Sequence, residues 1–377
     1  MHRFLLDPST IFLNHGSFGA CPREVLDASR AWQEEMEANP VAFLGRRSAG
    51  LLAAARAELG RYLGARGEDL VFVPNATHGV NTVARSLPLQ PGDEILGTDH
   101  EYGACEGAWA FAAARRGARY LRAEIPLPFR SGEFADRVWE KVTDRTRVLF
   151  LSHVTSTTAL IFPIEELCRR ARAAGILTVI DGAHAPGQLD LDLEALGADF
   201  YTGNCHKWLC APKGSAFLHV RAEHQAMLDA TAVSWGYLAL PANDAYTGTG
   251  PMERKLQWQG TRDLSPFLSV PAAIAFQARN GWDAERGRCH RLVVETLHRV
   301  CGATGLTPPA EDADFAQMAI IPVPAGDPAA LQEALMRDHR IEVPVTSHKG
   351  SIFVRMSAQA YNTGRDADAL VAALTGR

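Results

Sequence analysis

The chain has 377 residues, with 47% hydrophobic and 21% charged residues and a formal net charge of -5. That balance suits a globular chain with a full core, two domains being the expectation at this length, and carries no basic footprint for nucleic acid or anionic lipid. The start, Met1 to Leu6, is too short an apolar run for a secretory signal, and no stretch nears the ~20 apolar residues of a membrane span. Seven widely spaced cysteines without a C-x-x-C pair fit free thiols in a reducing compartment, so the cytoplasm is expected.

In chain order, a helix is expected from Pro22 to Asn39, after which short β-branched runs alternate with Ala/Arg/Leu-rich helical runs. Strands are expected at Leu70 to Val73, Asp93 to Leu96, Tyr120 to Ala123, Arg147 to Ser152, Leu177 to Asp181, Phe200 to Thr202 and Ser215 to Val220, with helices between them at Gly79 to Ser86, Glu165 to Ala174 and Leu191 to Leu196. Runs such as Val148-Leu149-Phe150-Leu151 are apolar throughout, as strands buried on both faces must be. The fold class is therefore α/β with a mixed, mostly parallel sheet. The stretch Val233 to Asp263, rich in Gly, Pro and Thr, reads as a long functional loop. Two helices, Ser265 to Asn280 and Asp283 to Val300, and strands near Gln317 to Ile321, Arg340 to Val343 and Ile352 to Met356 then form a smaller α+β unit.

His100-Glu101-Tyr102-Gly103-Ala104 opens like a zinc-protease helix but ends in alanine where the second imidazole belongs, so no metal is expected. Neither G-x-G-x-x-G after the early strands nor a P-loop occurs. More telling is Val179-Ile180-Asp181-Gly182-Ala183-His184, a carboxylate at the end of a buried strand, where α/β enzymes bind ligands. At the next strand end stands Thr202-Gly203-Asn204-Cys205-His206-Lys207-Trp208. A loop lysine is ordinarily a surface lysine. Among apolar neighbours its pKa falls, and the amine becomes a Schiff-base nucleophile. Leu70 to Asn81 reads as strand, polar turn and helix N-terminus, either a plain N-cap or a phosphate cradle.

Together with Asn14-His15-Gly16, Glu101-Tyr102-Gly103-Ala104, Ser152 to Ser156, Gln259 to Arg262 and Arg355 to Asn362, these segments resemble, in order, the class V aminotransferase family of pyridoxal-phosphate enzymes. Within it they resemble the subgroup of isopenicillin N epimerase. The resemblance implies fold type I: a three-layer α/β/α large domain over 21-262, a smaller C-terminal α+β domain over 263-377, and an N-terminal segment 1-20 packing on the latter. It implies pyridoxal 5'-phosphate held by Lys207 as Schiff base, with Asp181 on the pyridine nitrogen. Tyr102 would stack on the ring and take part in catalysis, Ser156 and His184 would contact the ring hydroxyl, and Asn75, Ala76, Thr77, His78, Asn204 and His206 would hold the phosphate. Thr261 would reach the phosphate of the partner subunit, making a homodimer with a shared active site. Arg355 would grip the carboxylate of an α-amino acid, and Asn14 is placed with it on the substrate side.

The loop Val343 to Ser351 has no cysteine, so persulfide transfer as in the desulfurase branch is not expected. Loss of the substrate Cα proton leads to epimerisation, β-elimination or transamination; epimerisation is the leading expectation and a C-S lyase its rival. A non-catalytic binding module has no need of Lys207.

Overall fold

The computed structural model describes residues 3–376. Strands in chain order are β1 (Ile11–Phe12), β2 (Leu70–Val73), β3 (Glu94–Thr98), β4 (Arg119–Ala123), β5 (Thr146–Ser152), β6 (Leu177–Asp181), β7 (Phe200–Asn204), β8 (Ala216–Val220), β9 (Met318–Val323), β10 (Ile341–Glu342), β11 (Val345–His348) and β12 (Ser351–Ser357). Seven of them form the main sheet in the order β2-β8-β7-β6-β5-β3-β4. Strand β8 runs antiparallel to both its neighbours, and every other pairing in the sheet is parallel.

Every residue of β2, β3, β7 and β8 is buried, which explains their apolar runs. The edge strand β4 instead carries exposed Arg119 and Arg122, charges that discourage pairing with another chain. Alternate side chains feed two cores. Val71, Ile95, Val148, Phe150, Val179 and Phe200 face the helices Ala76–Ser86 and Gly103–Arg116 through Val80, Val83 and Trp109. Phe72, Leu96, Leu149, Leu151, Ile180 and Tyr201 face the opposite layer, whose core continues without a gap into Met318, Ile320 and Val354 of the small sheet.

That small sheet, β11-β12-β9, is antiparallel, the helix Trp282–Thr304 packs on β9, and the helix Gly364–Thr375 packs against that helix. At the other end of the chain, β1 pairs in parallel with β10, so the N-terminal segment is stitched to the last quarter of the sequence. The expected helix Ser265 to Asn280 is two helices, Ser265–Leu268 and Val270–Arg279, meeting at Ser269 just before Pro271. The expected open loop over Val233 to Asp263 is a chain of short turns and helices, Trp235–Leu238, Pro241–Asn243, Asp244–Thr247 and Pro251–Leu256. Met252 and Leu256 anchor it in the core, while Val233, Trp235, Tyr237, Leu238 and Leu240 stand exposed.

In sequence order β5, β6 and β7 advance one way across the sheet from β3, whereas β4 lies on the other side. Ligands bind α/β sheets at such a reversal, beyond the carboxyl ends of the strands. Here those ends deliver Ser152, Asp181 and Asn204 side by side.

Candidate active site

A cleft of about 470 Å³ opens over these strand ends, in the size range of small-molecule sites. Asn75, Ala76, Thr77, Tyr102, Ser156, Asp181, His184, Asn204, His206, Lys207 and Arg355 all line it, as do Ser17, Phe18 and Ser152.

Lys207 sits on the turn after β7. That turn is held by the amides of Cys205 and His206, which both donate to the Ser215 carbonyl at 3.0 and 3.1 Å. His15 reaches the Lys207 carbonyl through Nε2 at 3.1 Å and the Tyr361 hydroxyl through Nδ1 at 3.0 Å, tying both chain ends to the turn. Gly19 passes so close that a Cβ there would lie 2.1 Å from the His206 carbonyl oxygen, and its φ of +71° belongs to glycine. The Lys207 amine lies 3.0 Å from His184 Nε2, and the Trp208 indole N–H donates to His184 Nδ1 at 3.2 Å. An indole can only donate, so Nδ1 is an acceptor and the ring proton of neutral His184 resides on Nε2. Burial holds the imidazole neutral, pushing its pKa well below the usual value. His184 Nε2–H then donates to the Lys207 nitrogen, which has a lone pair to accept with only as a neutral amine. Desolvation, followed by the charge of Arg355, lowers the Lys207 pKa from 10.5 to about 8.

Asp181 is buried, with Oδ1 accepting from the Ala183 amide at 2.9 Å and Oδ2 facing Cys105 Sγ at 3.4 Å. Desolvation raises its pKa. It forms no ion pair among the described residues, leaving a buried carboxyl without the cation its charged form requires. At the other end of the cleft the helix Ala76–Ser86 begins. Asn75 Oδ1 accepts from the His78 amide at 2.8 Å and Asn204 Oδ1 from the Ala76 amide at 2.9 Å, fixing a positive helix end toward the cleft. His206 donates through Nδ1 to the Ser215 carbonyl at 2.9 Å, and burial lowers its pKa to about 4.

Arg355, on β12, bonds the Ser156 carbonyl and, at 2.9 Å, Ser17 Oγ, while its Nε is buried without a partner. Burial lowers its pKa to about 10. Such a cation fits an incoming carboxylate. Ser156 Oγ lies 3.4 Å from Arg355, so it faces the guanidinium.

Three expected site residues do not line the cleft. The Asn14 side chain is taken up by Ser17 Oγ at 2.5 Å and Glu342 at 3.3 Å, so it reaches Arg355 only through Ser17. The His78 ring turns to Thr231 and Gln259 at 3.1 and 3.4 Å, and only its amide joins the helix end. Thr261 is exposed outside the cleft of its own chain. Conversely, sequence reasoning did not single out Ser17, Ser152, Glu101 or Trp208 for roles of their own, although the last three stand inside the quoted segments and Ser17 directly follows one.

Asp99, His100 and His348 gather in one place, and Asp69, Glu194 and His219 in another. Both aspartates already have a cation, Lys349 on Asp99 at 2.7 Å and Arg66 on Asp69 at 2.8 Å. Both ring nitrogens of His100 are engaged, by Thr158 at 2.7 Å and the Ile125 carbonyl at 2.8 Å.

An amine of lowered pKa, a carboxyl lacking a cation and a helix N-terminus, spaced along one cleft, fit an aldehyde, a pyridinium and a phosphate. This donor set on this sheet defines a pyridoxal-phosphate-dependent enzyme of fold type I. The sequence model of the family "Aminotransferase class-V" matches residues 11–370. An isopenicillin N epimerase of Amycolatopsis lactamdurans is 40% identical, covering 98% of this chain and 95% of its own. A probable chloroplastic L-cysteine desulfhydrase of Arabidopsis thaliana is 30% identical over 98% of this chain and 83% of its own. The apo cysteine desulfurase of Thermococcus onnurineus NA1 superposes with a TM-score of 0.83 at 20% identity, covering 99% and 96% of the two chains. The chain belongs to the class V aminotransferase family, and its cofactor is pyridoxal 5'-phosphate.

Proposed function

We propose that the protein is an isopenicillin N epimerase-like enzyme that inverts the α-carbon of an amino acid. The observation that carries this reading is the cleft's equipment: a lysine of lowered pKa, a tyrosine and a carboxylate-binding arginine, without a thiol among the lining residues. All seven cysteines are buried, and burial raises the pKa of each, so none offers a thiolate for attack on substrate sulfur. The 40% identity to the Amycolatopsis epimerase over nearly both whole chains supports it.

When bound, the cofactor supplies an electron sink that acidifies the substrate Cα–H. Arg355, braced by Ser17 and Ser156, orients the substrate carboxylate. Lys207 takes the Cα proton, its pKa lowered by burial to about 8 so that a working fraction of the amine is free near neutral pH, with His184 Nε2 3.0 Å away. Tyr102, 44% exposed at the helix start over the cleft, is the proposed stacking residue and the proton carrier for the other face. Asp181 would pair with the protonated ring nitrogen and keep it charged. The helix end with Asn75, Ala76, Thr77, Asn204 and His206 would hold the phosphate, and His184 with Ser156 would flank the ring hydroxyl. The enzyme works as a cytoplasmic homodimer, with Thr261 of each protomer completing the partner's phosphate site; the exposed Trp235 to Leu240 segment supplies apolar surface for that contact.

The test is incubation of the holoenzyme with L- and D-amino acids in heavy water. Deuterium at Cα with accumulation of the opposite enantiomer supports epimerisation. Ammonia and a keto acid would instead install the second reading, a C–S or other β-elimination lyase, which the 30% identity to the Arabidopsis desulfhydrase favours.

A further inference from the structure

Glu101 lies directly before Tyr102 and is buried. Its Oε1 accepts from Thr98 Oγ1 at 2.8 Å, and its Oε2 accepts from both the amide and the hydroxyl of Ser152 at 2.8 and 2.6 Å. No ion pair reaches it among the described residues. Ser152 lines the cleft and is the register partner of Asp181 on the neighbouring strand. Two buried carboxyls therefore flank the same strand end, one in the cleft and one behind it. The other titratable groups around Glu101 are the Cys105 thiol, which also faces Asp181, and the Tyr120 hydroxyl, buried without a partner.

We propose that Glu101 is a positioning residue of the cofactor site: through Ser152 it sets a second carboxyl charge behind Asp181 and so governs how strongly that end of the cleft holds a proton. While Glu101 is ionised, the Ser152 hydroxyl must donate to it and can offer the cleft only lone pairs. Once Glu101 is protonated that charge is gone, and with the proton on Oε2 the carboxyl O–H donates to Ser152 and frees the serine proton to turn toward the cleft. The carboxyl thus fixes both a charge and the polarity of a hydroxyl at the Asp181 end. Burial pushes its pKa up to about 8, with the negative Asp181 acting in the same direction, so both states are populated near neutral pH.

The inference rests on the cleft being a pyridoxal-phosphate site, and the test separates the two. The holoenzyme, Glu101→Gln, Glu101→Asp and Ser152→Ala are titrated from pH 6 to 10 by the visible band of the lysine-bound cofactor. Removing a negative charge from beside the site lowers the midpoint of that band. Glu101→Gln should move it down by at least about half a pH unit, and Ser152→Ala should move it the same way by less. Glu101→Asp, which keeps the charge, should return toward wild type. A purely packing role lowers the melting temperature of these variants and leaves the midpoint alone. A band in Glu101→Gln and Ser152→Ala with the wild-type midpoint overturns the inference while the cofactor assignment stands. Absence of any band in wild type removes the cofactor assignment and the inference with it. Should Glu101→Gln fail to fold, Ser152→Ala decides.

Discussion

Replacing Trp208 by Phe removes the one indole N–H that makes His184 Nδ1 an acceptor, and with it the reason that His184 Nε2–H points at the lysine. The shift of Lys207 from 10.5 to about 8 corresponds to roughly 3 kcal/mol against the charged form. A buried hydrogen bond from His184 to the neutral amine, worth about 1 kcal/mol, would act in the same direction, so the midpoint in Trp208→Phe should rise by ~0.7 units. At pH 7.5 the uncharged fraction then falls from roughly a quarter to about a sixteenth, a fourfold loss. The assay is the rate at which apoprotein captures added pyridoxal phosphate, followed between pH 6.5 and 10, since only the free amine attacks the aldehyde. Lys207 should itself contribute a gain in apoprotein stability as pH rises from about 8 toward 10.5, read as the difference from Lys207→Met and opposite in sign to the loss from the buried cysteines, because the unfolded lysine binds a proton over that window and the folded one does not. Lys207→Met should abolish the gain. A folded Trp208→Phe protein with an unmoved capture midpoint would refute the relay, whatever the mutation does to stability.

Arg355→Lys keeps a charge but loses the fork that Ser17 and Ser156 brace, so the amino-acid KM should rise by about 10- to 100-fold with little change in cofactor affinity, measured by steady-state kinetics and cofactor titration. Gly19→Ala places a Cβ against the His206 carbonyl at positive φ and should cost more than ~2 kcal/mol in chemical denaturation while weakening cofactor capture; unchanged capture would mean that the lysine turn tolerates the shift. A double change of Trp235 and Leu238 to Asp, in the exposed apolar segment, should yield monomers by light scattering and a weaker cofactor complex. A dimer that survives it would place the contact elsewhere.

The parts legible in the sequence are those with a local signal. Buried strands announced themselves by runs such as Val148 to Leu151, and Asp181 and Lys207 by standing just beyond such runs. What was not legible depends on partners far along the chain. Nothing local in Trp208 says that its N–H meets a histidine on the preceding strand's loop, 24 positions away. Nothing local in Glu101 says that Ser152, 51 positions away, will accept its company. Asn14 carries the same lesson in reverse: its segment is right, yet a neighbouring serine intervenes between its amide and Arg355. The break at Ser269 and the short helices after Val233 escaped because proline and glycine mark turns without saying what packs beneath them. There, Met252 and Leu256 decide.

The stitching of both chain ends onto the lysine turn has a consequence for how the protein is made. His15 is hydrogen-bonded to the Lys207 carbonyl and to the Tyr361 hydroxyl, across sequence separations of 192 and 346 residues. Contacts of that span form late in folding, because their loop-closure entropy is repaid only after most of the chain is in place. During synthesis the sheet and its carboxyl-end residues emerge long before β12 brings Arg355 and before Tyr361 can clamp His15. A nascent chain can therefore own its lysine without yet being able to hold it in place, and competence to take up cofactor should arrive only once the final segment has left the ribosome.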